Sequence, residues 1–231
     1  MSEPEHSLEI ECKYDVDERT PVPDWSALPG VHRVGSAEVR ELDARYLDTS
    51  DGALARALTV VRRRTGGPDA GWHVKRSTLQ GKWESRWPLE AGTESPDIVV
   101  PDEIIAAVAS IASPPFDVVA RIQNSRTAYA LFDGQGGVVA EFVDDRVTAT
   151  DIRRGGVRSR WREWELELGP AAPAAELARD EFFAAADALV IASGGRVSTS
   201  ESKLGRALGA EEPGAEEPGA EEPGVEEPAR K

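Results

Sequence analysis

The feature of this sequence best suited to chemistry is a set of charged residues that alternate with apolar ones. Glu9, Glu11 and Lys13 share one face of an extended segment, and segment 163–167 carries glutamate at its three odd positions. Successive side chains of a strand point to opposite faces, so a Glu-x-Glu pair places two carboxylates about 7 Å apart on one side. Four such carboxylates facing one another could hold Mg²⁺ or Mn²⁺, because hard oxygen ligands select hard divalent cations.

Basic residues occupy the same alternate positions in other segments. They are Lys13, Arg62, Arg64, Lys75, Lys82, Arg86 and Arg126. These are too many for simple salt bridges to the acids, and guanidinium groups bind phosphate oxygens through paired hydrogen bonds. Cations beside a carboxylate–metal site therefore suit a polyanion with several phosphoryl groups.

Other kinds of catalytic site are not indicated. One cysteine, and three histidines without ligand spacing, argue against zinc. His73 by itself is more typical of a wall residue or hydrogen-bond donor than of a catalyst, and Cys12 faces away from the carboxylates. The chain also has no Walker loop, kinase motif set or Rossmann glycine fingerprint.

Composition predicts one folded domain with a polar appendage. The chain has 231 residues, of which 40% are hydrophobic and 30% charged. A single cysteine excludes an internal disulfide framework and fits a reducing compartment. No apolar run approaches the roughly 20 residues of a membrane-spanning helix, and the N-terminus lacks the layout of a secretory signal. We expect a cytoplasmic protein that does not bind membranes.

The net charge of −15 is divided unevenly along the chain. Residues 209–231 repeat Gly, Ala, Glu, Glu and Pro, and they carry eight Glu against one Arg and one Lys, a net of −6. We therefore predict a folded domain over residues 1–208 and a disordered acidic tail over 209–231. Since no exposed basic block is visible, nucleic-acid binding is not expected, and the protein should be a monomer or a homodimer.

Hydrophobic alternation with period two predicts a β-rich α+β fold. The strand candidates are 7–14, 40–48, 57–65, 71–78, 82–89, 118–131, 137–143 and 158–168. Helices are predicted from Pro101 through residue 112, over 174–192 and over about 199–208. Short turns between many strands indicate an antiparallel sheet, closed or nearly closed.

The charged face of these strands has two interpretations. An ordinary half-buried sheet would turn that face to water. Alternatively, the charges line the interior of a wide barrel, and the apolar face packs under helices. Trp83, Trp87 and Trp164 lie opposite the charges, and the like charges of segment 163–167 would repel one another on an exposed strand. We favour the polar interior.

At this point the sequence resembles a known family. Glu9 to Lys13 reads Glu-x-Glu-x-Lys, the N-terminal signature of the CYTH family, or triphosphate tunnel metalloenzymes. Further family elements follow in order: RYLDT at 45–49, VRRRTG at 61–66, WHVKRS at 72–77, KWESRWPL at 82–89, NSRTAY at 124–129, AEFVDDRV at 140–147, REWELELG at 162–169 and SKLGRALG at 202–209. Together they cover nearly all of residues 8–208. The set departs from the bacterial branch at Lys82, where Arg is expected.

The resemblance implies a closed eight-stranded antiparallel β-barrel, a tunnel that binds triphosphate compounds with Mg²⁺ or Mn²⁺. The implied metal ligands are Glu9, Glu11, Glu165 and Glu167, with Glu141 and Asp145 near them. The implied phosphate-binding residues are Lys13, Arg62, Arg64, Lys75 and Arg126. Lys82 and Arg86 would lie on the same wall with Glu84, and Lys203 would reach the tunnel from the last helix.

Members of the family hydrolyse inorganic triphosphate or thiamine triphosphate, or cyclise ATP. We expect an inorganic triphosphatase, with Glu9, Glu11, Lys13, Glu165 and Glu167 closest to the reaction. A class IV type adenylyl cyclase and a thiamine triphosphatase remain open, because no seat for adenine or thiamine is readable. A non-catalytic polyphosphate-binding module would need the cations alone, and the intact Glu-x-Glu pairs favour catalysis over it.

Overall fold

The computed structural model describes residues 3–79, 81–89, 98–200 and 202–209. Eleven β-strands form one curled antiparallel sheet. The strands are β1 (Glu5–Glu9), β2 (Glu11–Val16), β3 (Arg33–Val34), β4 (Glu38–Asp48), β5 (Thr59–Thr65), β6 (Gly71–Thr78), β7 (Gly81–Pro88), β8 (Asp117–Phe132), β9 (Val138–Asp151), β10 (Val157–Leu168) and β11 (Arg196–Val197). The helices are a 3-10 turn (Trp25–Ala27), α1 (Ala53–Arg56), α2 (Asp102–Val108), α3 (Glu176–Ala192) and α4 (Lys203–Ala207).

The sheet is a half-barrel that its hydrogen bonds do not close. Its strand order is β1-β7-β6-β5-β4-β8-β9-β10-β2-β11, with β3 paired to β8. The predicted N-terminal strand is divided at Ile10: β1 pairs with β7, and β2 pairs with β10 on the far side of the sheet. The covalent chain at Ile10 therefore joins β1, at one edge of the sheet, to β2, near the other edge, and no hydrogen-bonded ladder links them. The prediction of a closed eight-stranded barrel is wrong in strand number and in closure.

The apolar faces of the strands pack outward against two helices, as expected for a sheet with a polar interior. Phe182, Ala186 and Val190 lie four residues apart on α3, so they form one stripe that covers Tyr14, Phe142, Trp164 and Leu166. Ile104 and Val108 of α2 cover Trp72, Val74 and Trp87. Trp83 remains partly exposed on the outer face.

A third cluster lies on the concave face, at one end of the half-barrel. Leu204 and Ala207 of α4, and Leu208 directly after it, pack against Ala44 and Tyr46 of β4 and against apolar residues of β8 and β9. The Ser202 side chain caps α4 by accepting a hydrogen bond from the Gly205 amide at 3.0 Å. The helix lies against the concave face, where its N-terminal residue Lys203 points into the interior.

Most predicted strands are confirmed, although β9 continues to Asp151, and the helix begun at Pro101 ends at Val108. The acidic segment 210–231 lies outside the described residues, so its predicted disorder stays a prediction. None of the described helices has the length and apolarity needed to span a membrane.

Candidate functional site

The concave face of the sheet encloses a cavity of about 750 Å³. Nine basic residues line it: Lys13, Arg62, Arg64, Lys75, Lys82, Arg126, Arg153, Lys203 and Arg206. Six acids accompany them: Glu9, Glu11, Asp48, Asp69, Glu165 and Glu167. The wall therefore has a net charge of +3, whereas the whole chain has −15. The charged faces of the strands point inward, and the polar interior is confirmed.

Three buried carboxylates converge at the α4 end of this cavity. One oxygen from each of Asp145, Glu163 and Glu165 lies within 4.8 Å of the others. The ammonium group of Lys203 lies among them, 2.9 Å from Asp145, 2.5 Å from Glu163 and 2.7 Å from Glu165. Although burial opposes it, the three carboxylates hold the pKa of Lys203 well above its ordinary value. This cluster thus already contains its cation, in the form of a lysine side chain.

Glu165 is the most heavily paired of the predicted metal ligands. It contacts Lys13 and lies 2.8 Å from Arg126 and 2.7 Å from Lys203. Burial acts to raise its pKa, but the charges of Lys13, Lys203 and Arg126 hold that pKa well below its ordinary value. Glu165 is therefore ionised, and it draws three cations to one point in the wall.

Glu167 has the opposite environment. Among the described residues, none donates a hydrogen bond or forms an ion pair with its carboxylate. Burial, with the negative charges of Glu9 and Glu11, raises the pKa of Glu167 to about 7. An added cation would relieve this repulsion, and carboxylate oxygens are suitable ligands for Mg²⁺ or Mn²⁺. The residues around Glu167 therefore fit a hard divalent cation better than the cluster that Lys203 fills.

Glu9 and Glu11 are paired with lysines of β2, β6 and β7. Lys75 binds both carboxylate oxygens of Glu9 at 2.7 Å. Glu11 lies 2.9 Å from Lys82 and 3.2 Å from Lys13. Burial raises the pKa of Glu9, whereas Lys13 and Lys82 lower the pKa of Glu11 despite its burial. Lys82 thus lies on the predicted wall, where its ammonium group pairs with the Glu11 carboxylate.

The arginines of β5 form the most crowded cationic part of the wall. Arg62 lies 3.7 Å from Glu84, and Arg64 pairs with Asp69 in the β5–β6 turn. Burial, together with repulsion from Arg62 and Arg126, lowers the pKa of Arg64 to about 9, so it remains charged at neutral pH. A bound anion would reduce the repulsion among these buried arginines.

Two predicted residues have their partners elsewhere. Arg86 pairs with Glu5 near the edge of the sheet, rather than with Glu84 or with the cavity. Glu141 stands opposite Glu167 in the β9–β10 register, but Arg40 binds its carboxylate at 3.0 and 3.1 Å. Asp145 belongs to the Lys203 cluster, where Arg126 binds both of its oxygens at 2.8 and 2.7 Å.

The chain matches a known protein family over most of its length. A family model described as the CYTH domain matches residues 7–193. The chain belongs to the CYTH family. The match includes the Glu9–Lys13 signature and every predicted site residue except Lys203. It does not distinguish a triphosphatase from a cyclase branch.

Two curated proteins are similar to this CYTH chain over most of its length. Two uncharacterized proteins from strains of Mycobacterium tuberculosis are 36% identical over 221 residues, which cover 91% of this chain and 42% of each relative. The chain therefore spans less than half the length of these curated relatives.

Solved structures share the fold. A candidate adenylate cyclase from Bacillus halodurans superposes with a TM-score of 0.59 at 16% identity, covering 87% of this chain and 97% of that one. A candidate adenylyl cyclase from Hippeastrum, described as having a dominant triphosphatase activity, gives a TM-score of 0.53 at 15% identity, covering 89% of this chain and 98% of that one. At these identities the likeness concerns the fold alone.

Several residues of the CYTH site were missed by the sequence reasoning. Glu163 was placed on the charged face but not among the ligands, and Tyr46, Asp69, Arg153 and Arg206 were not considered. Tyr46 carried a readable signal, because it alternates with Leu42 and Ala44 on the inner face of β4. Arg153 and Arg206 carried none, since a turn and a short helix bring them to the cavity.

Proposed function

We propose that this CYTH chain hydrolyses a triphosphate compound, and that its substrate is inorganic tripolyphosphate, which is cleaved to pyrophosphate and phosphate. The observation that carries the proposal is the net +3 cavity in a chain of net charge −15. A local excess of cations around one cavity suits a polyanion, since each charge-assisted hydrogen bond from a guanidinium or ammonium group is stronger than a neutral one.

The residues fall into two groups in this proposal. Lys13, Arg62, Arg64, Lys75, Lys82, Arg126 and Lys203 bind phosphoryl oxygens. Glu9, Glu11 and Glu167 would hold Mg²⁺ or Mn²⁺, because Glu167 is the acid whose charge the described residues leave uncompensated. A bound cation would polarise the phosphoryl group and offset the charge that develops during transfer. Glu165 and Asp145, predicted as ligands, instead hold Lys13, Arg126 and Lys203 in place.

Hydrolysis then needs positioning more than covalent chemistry. The arginines hold the two phosphoryl groups of the leaving pyrophosphate, and water attacks the terminal phosphorus opposite the bridging oxygen. The bond between that phosphorus and the bridging oxygen breaks, and its electron pair leaves with pyrophosphate. A lining carboxylate accepts the proton of the attacking water.

Three other functions use the same cavity. An adenylyl cyclase or a thiamine triphosphatase would seat an organic group, and Leu42, Leu47 and Ile122 provide an apolar part of the wall. A polyphosphate-binding module would use the cations without turnover. The uncompensated Glu167 favours catalysis over binding, since a module that only binds anions gains nothing from it.

The decisive experiment is phosphate release from tripolyphosphate, thiamine triphosphate and ATP, each with Mg²⁺ or Mn²⁺, alongside an assay for cyclic AMP. We expect the highest kcat/KM with tripolyphosphate. Release of cyclic AMP as the main product of ATP, with tripolyphosphate untouched, would establish the cyclase. Tight tripolyphosphate binding without any turnover would establish the binding module.

A further inference from the structure

The β9–β10 hairpin carries a group of exposed arginines, of which only Arg153 also lines the cavity. We call Arg153, Arg154, Arg158 and Arg160 the arginine hairpin; all four are exposed. Arg153 lies 3.9 Å from Asp151, a distance too long for a hydrogen bond. Among the described residues, no ion-pair partner of the other three side chains is found. A strongly acidic chain thus has a patch of uncompensated positive charge at this turn.

The chain leaves the fold beside this patch. Leu204, Ala207 and Leu208 fix α4 against the sheet, and Gly209 follows directly. A Cβ atom built on Gly209 would lie 3.4 Å from Nη1 of Arg154. Gly209, the last residue that the structure describes, therefore lies within contact distance of the arginine hairpin.

The segment that starts there has the complementary charge. Residues 211–227 contain eight glutamates in four Glu-Glu pairs, which recur every five residues. An extended chain spans at most about 3.3–3.6 Å per residue, so even the first two pairs can reach all four arginines. Covalent attachment also gives the segment a millimolar effective concentration at the patch, so that individually weak contacts suffice.

We propose that the acidic segment 211–227 docks on the arginine hairpin of its own chain. The contact is electrostatic, formed by glutamate carboxylates and the four guanidinium groups. Because Arg153 also lines the cavity, the docked segment lies next to the cavity opening at the α4 end. The proposal concerns the surface and its occupant, and it holds whether or not the cavity hydrolyses triphosphates.

A spin label on the segment tests this in the full chain. A nitroxide is attached to Ala220→Cys in a Cys12→Ala background, and amide signals are recorded at about 20 mM and about 0.5 M NaCl. Charge contacts on a surface are screened over a Debye length of about 10 Å at 0.1 M and less at higher salt. We expect residues 153–160 to broaden at low salt, and the broadening to fall about threefold or more at high salt.

Three variants locate the contact. Replacing the eight glutamates of 211–227 by Gln leaves the folded domain unchanged and should abolish the salt-dependent broadening. Arg158→Gln with Arg160→Gln should reduce it strongly, with an unchanged thermal midpoint. The matched control is Arg33→Gln with Arg76→Gln, two exposed arginines on β3 and β6, strands that do not pair with β9 or β10, and it should leave the broadening intact.

Each other outcome overturns the proposal. If the broadening is unchanged by salt and by the Glu→Gln replacements, it arises only because the segment is covalently linked to the fold at Gly209. Broadening centred on another surface would place the segment there. Broadening of an unlabelled, isotope-enriched chain mixed with spin-labelled chains would show that the occupant is the segment of a second copy.

Discussion

Nδ1 of the buried His73 lies 2.6 Å from Oε1 of Glu84. Nε2 of the same ring lies 3.1 Å from the carbonyl oxygen of Asp69. Burial and the charge of Arg62 lower the pKa of His73 to about 3, so the ring is neutral at pH 7. A neutral imidazole has one N–H, and the carboxylate is the stronger acceptor of the two oxygens. His73 therefore orients Glu84, which in turn contacts Arg62 and Lys75.

The first prediction concerns this pair. His73→Leu removes the ring N–H donor from the buried Glu84 carboxylate and should lower the free energy of unfolding by about 1–3 kcal/mol. His73→Asn keeps a donor near the position of Nδ1 and should lose less. Urea unfolding at pH 7 measures both. Equal losses in the two variants would mean that ring volume, rather than the hydrogen bond, is what His73 contributes.

The second prediction concerns metal. Because Glu9, Glu11 and Glu167 repel one another without a cation, phosphate release should need Mg²⁺ or Mn²⁺ and stop in EDTA. Glu167→Gln should abolish turnover in either metal. Glu181→Gln, on the exposed surface of α3, is the matched control and should retain full activity. Turnover in metal-free buffer would remove the carboxylate–metal part of the proposed function.

The third prediction is a pH dependence of stability in metal-free protein. The pKa of Glu167 rises from an ordinary 4.5 to about 7 on folding, so its favourable contribution is present below pH 4.5 and is lost as pH rises toward 7. Glu167→Gln should therefore stabilise the protein at pH 8 in EDTA, by about 1–3 kcal/mol given its partial exposure.

Glu165 provides the opposite sign in the same experiment. Its pKa falls on folding, so its contribution is present above its ordinary pKa of 4.5 and is lost as the solution becomes more acidic. Glu165→Gln should destabilise the protein at pH 8, because Lys13, Arg126 and Lys203 lose a shared partner. If both glutamine variants shift the unfolding midpoint in the same direction, the contrast between paired and uncompensated carboxylates is wrong.

The fourth prediction separates the cations of the cavity from the one outside it. Arg64→Ala and Lys75→Ala should each lower kcat/KM for tripolyphosphate by about 10-fold to 150-fold, the loss of a charged hydrogen bond worth about 1.5–3 kcal/mol. Arg86→Ala is the control from the same sheet, and it should have a much smaller effect because Arg86 pairs with Glu5. An equal loss of kcat/KM in all three variants would show that Arg86 belongs to the phosphate site.

The fifth prediction concerns removal of the acidic segment. Truncation after Leu208 should leave kcat unchanged, since every proposed site residue lies at or before Lys203. The KM should stay equal or fall slightly at low ionic strength, because an acidic segment beside the cavity repels or competes with a polyanion. Steady-state kinetics at two salt concentrations measures both. A large fall in kcat or in thermal stability would place the domain boundary later in the chain.

The sequence by itself determined which faces of the strands carry charge. Period-two alternation is local, so Glu9, Arg62, Lys75 and Glu165 could be assigned to one interior surface before their strands were paired. The ordered motifs also identified the family. Both results depend on residues within a few positions of one another.

Only the tertiary structure decided which charges meet. Strand pairing divides the N-terminal strand at Ile10 and leaves the half-barrel open, and this depends on contacts between distant segments. The position of α4 places the Lys203 ammonium among Asp145, Glu163 and Glu165. Glu167, two residues beyond Glu165 on β10, has no ion-pair partner among the described residues and is repelled by Glu9 and Glu11. The two Glu-x-Glu pairs, Glu9 with Glu11 and Glu165 with Glu167, have the same spacing but different partners. The electrostatic environment of each carboxylate is set by distance in space rather than by separation in sequence.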